Sequence, residues 1–370
     1  MEPIDEGRLL EQSARRFAER AVAPAVDALG HYPDQPLPAT LLEGLRELGF
    51  LELALPAAAG GDDVDDALLA TVVGALGETA AAPAQIVLAQ ALAQRLVGAC
   101  GNEAAIGRVR PDSEGAVPVL AVPLYAEPGE TEAVPRYAVE DDGLRLWGTC
   151  EFVVNAPIAD RLLIPAVADG DDRIALVLVD AGADGVRIEA PLLTLGMRGG
   201  PVADASFDDV RLPLARRLAE DARGLVERAH RRLRGPVAAL CAAVVTSSAE
   251  AAVAYARERY QGGRFIVEHA EVRRMISELW ADRDLCEDAA RRLAGGEVDE
   301  PRATHLFLRA KEAAARATCD GVQLLGGYGY MEDYGQERRM RDAKQAQCLL
   351  GRCEPERQRA MDAALGEVAS

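Results

Sequence analysis

Residues Gln323–Glu354 read QLLGGYGYMEDYGQERRMRDAKQAQCLLGRCE, and the rest of the chain is organised around them. A long Ala-rich helical pattern runs into this stretch and stops at Gly326-Gly327. Glycine takes the left-handed conformation without steric cost, so the pair predicts a helix C-cap. Tyr328, Tyr330 and Tyr334 follow closely, in a chain that is only 4% aromatic. The charged segment ERRMRDAK then predicts a second helix. Taken alone, these residues support two readings. One is a helix–turn–helix packed by tyrosines. The other is an open glycine backbone that a flat or phosphorylated ligand can approach.

Working outward, the chain has 370 residues, enough for two or three domains. Residues 1–115 read as a helical domain. LLEQSARRFAERAVAPAVDAL carries apolar residues at helical spacing until Pro24 interrupts it. Thr40 is the predicted N-cap of LLEGLREL and Gly49 its stop. The texture changes near Gly115. GLRLWGTCEFVVNA, RLLIPAVA and IALVLVD are short β-rich runs separated by Pro, Gly and Asp, which predicts an antiparallel β domain over 116–218. Helical patterns return over 219–370. The fold class is therefore α+β: helices, then sheet, then a C-terminal helical bundle.

Charge and cysteine usage narrow the function. Lys and Arg number 41 against 60 Asp and Glu, a net charge of −19. A nucleic-acid partner is unexpected, since phosphate binding needs a basic surface. Seven cysteines form no C-x-x-C pair and read as reduced thiols. His31, His230, His269 and His305 lie far apart, so no metal site is expected. No membrane span of about 18 apolar residues is evident. The acidic start lacks the pattern of a signal peptide, which makes a cytoplasmic location the expectation.

QLLGGYGY followed by ERRMRDAK resembles the C-terminal signature of the acyl-CoA dehydrogenase family. LGFLELALP near residue 50 and SFDDVRLP near residue 210 are similar to family segments, so the resemblance spans the chain. It implies the family architecture, with a four-helix bundle at the C-terminus, and FAD as cofactor. It also implies an acyl-CoA substrate and an electron-transfer flavoprotein as acceptor. In such an enzyme a carboxylate removes the α-proton of the thioester while the β-hydride passes to the flavin. Counted through RDAK, the position of that carboxylate falls on Leu350. Its second known location, directly before Arg234, falls on Leu233. Leucine cannot accept a proton. Glu354 and Glu356 are the nearby carboxylates, and Glu354 is the candidate for a displaced base.

The motifs around the flavin ring depart from the pattern as well. Ala126-Glu127-Pro128-Gly129 and Phe152-Val153-Val154 place Ala126 and Val154 where the family carries hydroxyls. Each missing hydroxyl removes one hydrogen bond worth roughly 0.5–1.5 kcal/mol. The residues that the resemblance assigns to the ADP part of FAD on a neighbouring subunit are retained: Arg259, Gln323, Gly326 and Gly327. The asymmetry implies a non-catalytic subunit that shares FAD with a homologous catalytic chain. Two alternatives stay open: a self-sufficient homomeric dehydrogenase with a displaced base, and a flavin-free thioester-binding or scaffold protein of the same fold.

Overall fold

The computed structural model describes residues 6–26, 37–140 and 143–368. His31 lies outside them. The first layer is helical: α1 Glu6–Phe17, α2 Ala39–Glu47, α3 Asp66–Gly77, α4 Ala81–Cys100 and α5 Glu103–Val109. Helix α4 is buried on all sides from Ala81 to Val97, and its buried polar side chains are partnered: Gln90 and Gln94 donate to the Leu51 carbonyl and Arg95 pairs with Asp66. Side-chain caps start α3 and α5. Asp65 accepts from the Leu68 amide at 2.7 Å and Asn102 from the Ala105 amide at 3.1 Å. Thr40 is not a cap. Helix α2 opens at Ala39 behind Pro38, whose carbonyl accepts from the Leu41 amide, so Thr40 sits inside the first turn. Gly49 ends this segment with φ +72°.

Eight strands follow: β1 Leu120–Ala121, β2 Arg136–Glu140, β3 Gly143–Val154, β4 Arg161–Ala168, β5 Ile174–Asp180, β6 Val186–Ile188, β7 Val202–Leu212 and β8 Arg217–Ala219. They are ordered β6-β7-β3-β2-β4-β5-β8, with β1 beside β4. Pairing is antiparallel except where β4 lies parallel to β1 and β2. Alternate residues of β4 and β5 enter two different cores: Leu163, Leu176 and Leu178 face the helices, and Leu162, Ile164, Val177 and Val179 face the other side. The β3–β7 register slips between Cys150 and Val153, a bulge that leaves Phe152 at φ +53° and half exposed.

The C-terminal layer is built on α6 Arg223–Glu258, α7 Ala270–Ala294 and α8 Glu300–Leu325. A small hairpin, β9 Tyr260–Gln261 and β10 Arg264–Phe265, joins α6 to α7. Helices α9 Gln336–Ala346 and α10 Cys353–Val368 complete the layer. Helix α6 is long and apolar enough to cross a membrane by composition, yet it packs against α3, α7 and α8 with most of that stretch buried.

Candidate functional site

The signature helix α9 is a junction of all three layers. Arg338 reaches the Thr79 carbonyl at the end of α3, and Gln336 and Arg339 reach Ser248 and Ser247 on α6. On the sheet side, Asp342 accepts from the Met197 amide at 2.6 Å and Gln345 from the Gly196 amide at 2.9 Å. Burial raises the pKa of Asp342, opposed by Arg338 and the Met197 amide. Gly196 is required here, since a Cβ would stand 2.2 Å from the Arg341 carbonyl. Gln345 also donates to the Tyr125 hydroxyl at 2.6 Å, and that hydroxyl donates to Gln85 on α4. Thus much of RDAKQ positions the segments on either side of it.

On one side of α9 lies an open edge. Helix α8 ends at Gly326 with φ +58°, while Gly327 lacks a positive φ, so the predicted cap uses one glycine of the pair. Gln323, Gly326 and Gly327 are exposed, and a Cβ at either glycine would meet nothing within 4 Å. The Arg259 guanidinium lies 5.6 Å from the centre of the Tyr328 ring. Tyr328 in turn stacks obliquely with Tyr334 and meets Tyr255 edge-on. Arg259 has no carboxylate partner among the described residues. Gln323, Gly326 and Gly327 therefore offer an accessible surface, and Arg259, half-buried against Tyr328, keeps a guanidinium fork with no carboxylate on it. They fit that half of the cofactor.

On the other side lies the turn between α9 and α10, which carries Leu350. Its backbone is left-handed at φ +59°, an unfavourable region for leucine, and its side chain is buried. Contacts on two sides hold it. The Leu350 amide donates to the Leu124 carbonyl at 2.9 Å. Gly351 packs so closely on Glu127 that a Cβ would stand 3.0 Å from the Glu127 Cγ. Glu127 accepts from Arg352 at 3.0 Å and from Arg359 at 3.1 Å. Beneath, the fully buried Lys311 ammonium donates to the Leu349 carbonyl at 2.9 Å and the Gly351 carbonyl at 3.0 Å. A flat ring needs a slot of about 7 Å, twice the usual carbon contact distance. The turn and the Leu124–Pro128 segment touch directly, and where they do they leave no such slot. Ala126 and Val154 add no hydroxyl, and the Val154 backbone is paired with Val122.

Leu350 lines a cavity of about 250 Å³ together with Pro128, His230, Arg234, Phe307 and Glu356. Arg234 is forked between Glu300 at 2.7 Å and Glu356 at 2.8 Å. The other Glu356 oxygen and His230 Nδ1 are buried without a partner. Leu233 is fully buried and is not in the cavity wall. Glu354 lies outside, exposed, with Gln358 and Arg357 lowering its pKa. Burial, with Arg234 and Lys311 near by, pushes His230 down to about 3 from its ordinary 6.5. An unfolded chain then binds a proton that the native chain refuses, so stability falls as pH drops from 6.5 towards 3. His230→Gln is expected to flatten that acid limb by up to about 1.4 kcal/mol per pH unit. Urea midpoints between these pH values check it, and an unchanged slope would show that His230 is not the group responsible.

Lys311 and His230 escaped the sequence reading. One signal for Lys311 was available: it stands four residues after Phe307 on the apolar face of a helix, where a lysine is out of place. Among the described residues no cluster of metal-ligating side chains forms.

Two models of one family match the chain: the acyl-CoA dehydrogenase N-terminal domain over residues 4–112 and the C-terminal domain over 224–365. Over 363 residues it is 29% identical to a cyclohexane-1-carbonyl-CoA dehydrogenase of Geobacter metallireducens, covering 94% of each chain. The fold is that of butyryl-CoA dehydrogenase from Megasphaera elsdenii, with a TM-score of 0.85 at 24% identity over 99% of both chains. A glutaryl-CoA dehydrogenase from Mycobacterium smegmatis in complex with FADH2 gives a TM-score of 0.85 at 19% identity, over 98% of this chain and 95% of that one. The layered fold, the α9 junction and these relatives together make the chain a member of the acyl-CoA dehydrogenase family, whose cofactor is FAD.

Proposed function

We propose that this chain is the non-catalytic subunit of a heteromeric FAD-dependent acyl-CoA dehydrogenase. Its open edge of Arg259, Gln323, Gly326 and Gly327 grips the ADP half of an FAD whose ring lies in a homologous catalytic subunit. The observation that carries this reading is the Leu350 amide bonded to the Leu124 carbonyl at 2.9 Å, which closes the chain's own ring side. Leucine at positions 350 and 233 supports it, as does the engagement of Glu354 with Arg357 and Gln358 at the surface. The assembly takes an acyl-CoA thioester as substrate and passes electrons to an electron-transfer flavoprotein.

The flavin absorbance of the protein purified alone tests the reading. Little or no FAD is expected, whereas stoichiometric FAD would favour the homomeric enzyme. Co-expression with a homologous catalytic chain is expected to give flavin at about half the total chain count, one site per pair of unlike subunits. Failure to gain flavin with any such chain would leave the flavin-free scaffold instead. Leu350→Glu in the chain alone is expected to produce no acyl-CoA oxidation, because the ring-side hydroxyls are missing and the turn remains closed. Substantial oxidation by that variant would overturn the assignment.

A further inference from the structure

A second cavity, of about 190 Å³, opens between the start of α3, helix α6, the end of α7 and the start of α8. Arg231, Arg232, Arg234 and Arg292 line it, against two carboxylates, Asp66 and Glu300. Both carboxylates are already divided between two guanidiniums. Glu300 serves Arg231 at 3.2 Å and Arg234 at 2.7 Å. Asp66 serves Arg232 at 3.0 Å and the buried Arg95 at 2.7 Å. Arg231 also pairs with Glu227, outside this lining, and Arg292 has no ion pair among the described residues.

The wall therefore carries two more positive than negative side chains, in a protein whose net charge is −19. Such a local reversal of sign draws anions from solution. Arginine forks match phosphate oxygens in pairs, and a phosphate group brings about two negative charges at neutral pH. The volume suits one or two phosphate groups and is too small for an acyl-CoA. Arg234 lines this cavity and the one behind Leu350 alike, so an occupant would bear on the Arg234–Glu356 pair in the wall of that second cavity.

We propose that this arginine-lined cavity binds a small diphosphate-bearing anion, either free or at the end of a nucleotide. Calorimetric titration of the full chain with inorganic pyrophosphate, at constant ionic strength, tests it. Saturable one-to-one binding is expected, weakened at least tenfold in the double variant Arg231→Gln/Arg292→Gln. Both residues are solvent-facing, so the variant is expected to keep the parent melting temperature, and Arg292→Lys should lose less. ADP measured in parallel, on Arg259→Gln so that the FAD edge takes none of it, separates the sources: tighter binding than pyrophosphate identifies a nucleotide, and weaker binding the free anion. Absence of saturable binding, an equal response to sodium sulfate, or an undiminished affinity in the double variant would overturn the proposal. So would loss of pyrophosphate binding in Arg259→Gln, which would move the anion to the FAD edge.

Discussion

Replacing Lys311 by alanine is expected to destabilise the chain by roughly 3–5 kcal/mol, among the larger effects of a single substitution. Two costs add. The Leu349 and Gly351 carbonyls lose the ammonium that binds them both, and an orphaned buried acceptor costs about 1–3 kcal/mol. Removing a fully buried long side chain beside Phe307 leaves a cavity, worth about 2–5 kcal/mol in comparable truncations. One term offsets these. Burial lowers the pKa of Lys311, so its charge is held at a cost that alanine relieves. Lys311→Met separates the terms, because it keeps the volume and removes the donors. Its loss should fall between wild type and alanine. Urea denaturation of the three proteins gives the comparison. A Lys311→Ala midpoint equal to wild type would mean that the ammonium does not hold the Leu350 turn.

The same turn shows what a sequence can and cannot convey. ERRMRDAK was legible as a helix and as a family signature because its spacing is local. The cap at Gly326, and with it the end of α8, was legible for the same reason. The role of Asp342 and Gln345 was not, since each bonds an amide about 145 residues away in chain number. Lys311 and the turn it clamps are separated by a whole helix and its return. Pairing that depends on chain return is not written in any short window. Parallel contacts of β4 with β1 and β2 escaped for a similar reason: alternation marks a strand but not its neighbour's direction. Thr40 failed at the smallest scale, because Pro38 in the extended conformation starts α2 one residue before the threonine. Leu350 was placed by counting through the signature, and Leu233 as the residue directly before Arg234. Only Leu350 proves to face a cavity, since side-chain direction follows helix phase and the left-handed turn.

Arg259→Ala is expected to lower the FAD affinity of the assembled enzyme by about 10–100-fold while leaving its subunits folded and associated. A guanidinium meeting a diphosphate forms charge-assisted hydrogen bonds, each worth about 1.5–3 kcal/mol, and about 1.4 kcal/mol is a factor of ten. In the free chain the Arg259 guanidinium lies half-buried against the Tyr328 ring with no carboxylate partner among the described residues, so its loss should move the melting temperature of the isolated subunit little. Arg259→Lys keeps the charge without the fork and should fall between the two. Flavin retained after dialysis of the co-expressed complex is the readout, with subunit stoichiometry measured alongside. Equal FAD content in wild type and Arg259→Ala would remove the open edge from the cofactor site. A matching loss with the subunits still paired would place the diphosphate on this chain, because the substitution lies on this subunit alone. That result would separate a subunit that completes its partner's flavin site from one that merely shares its fold.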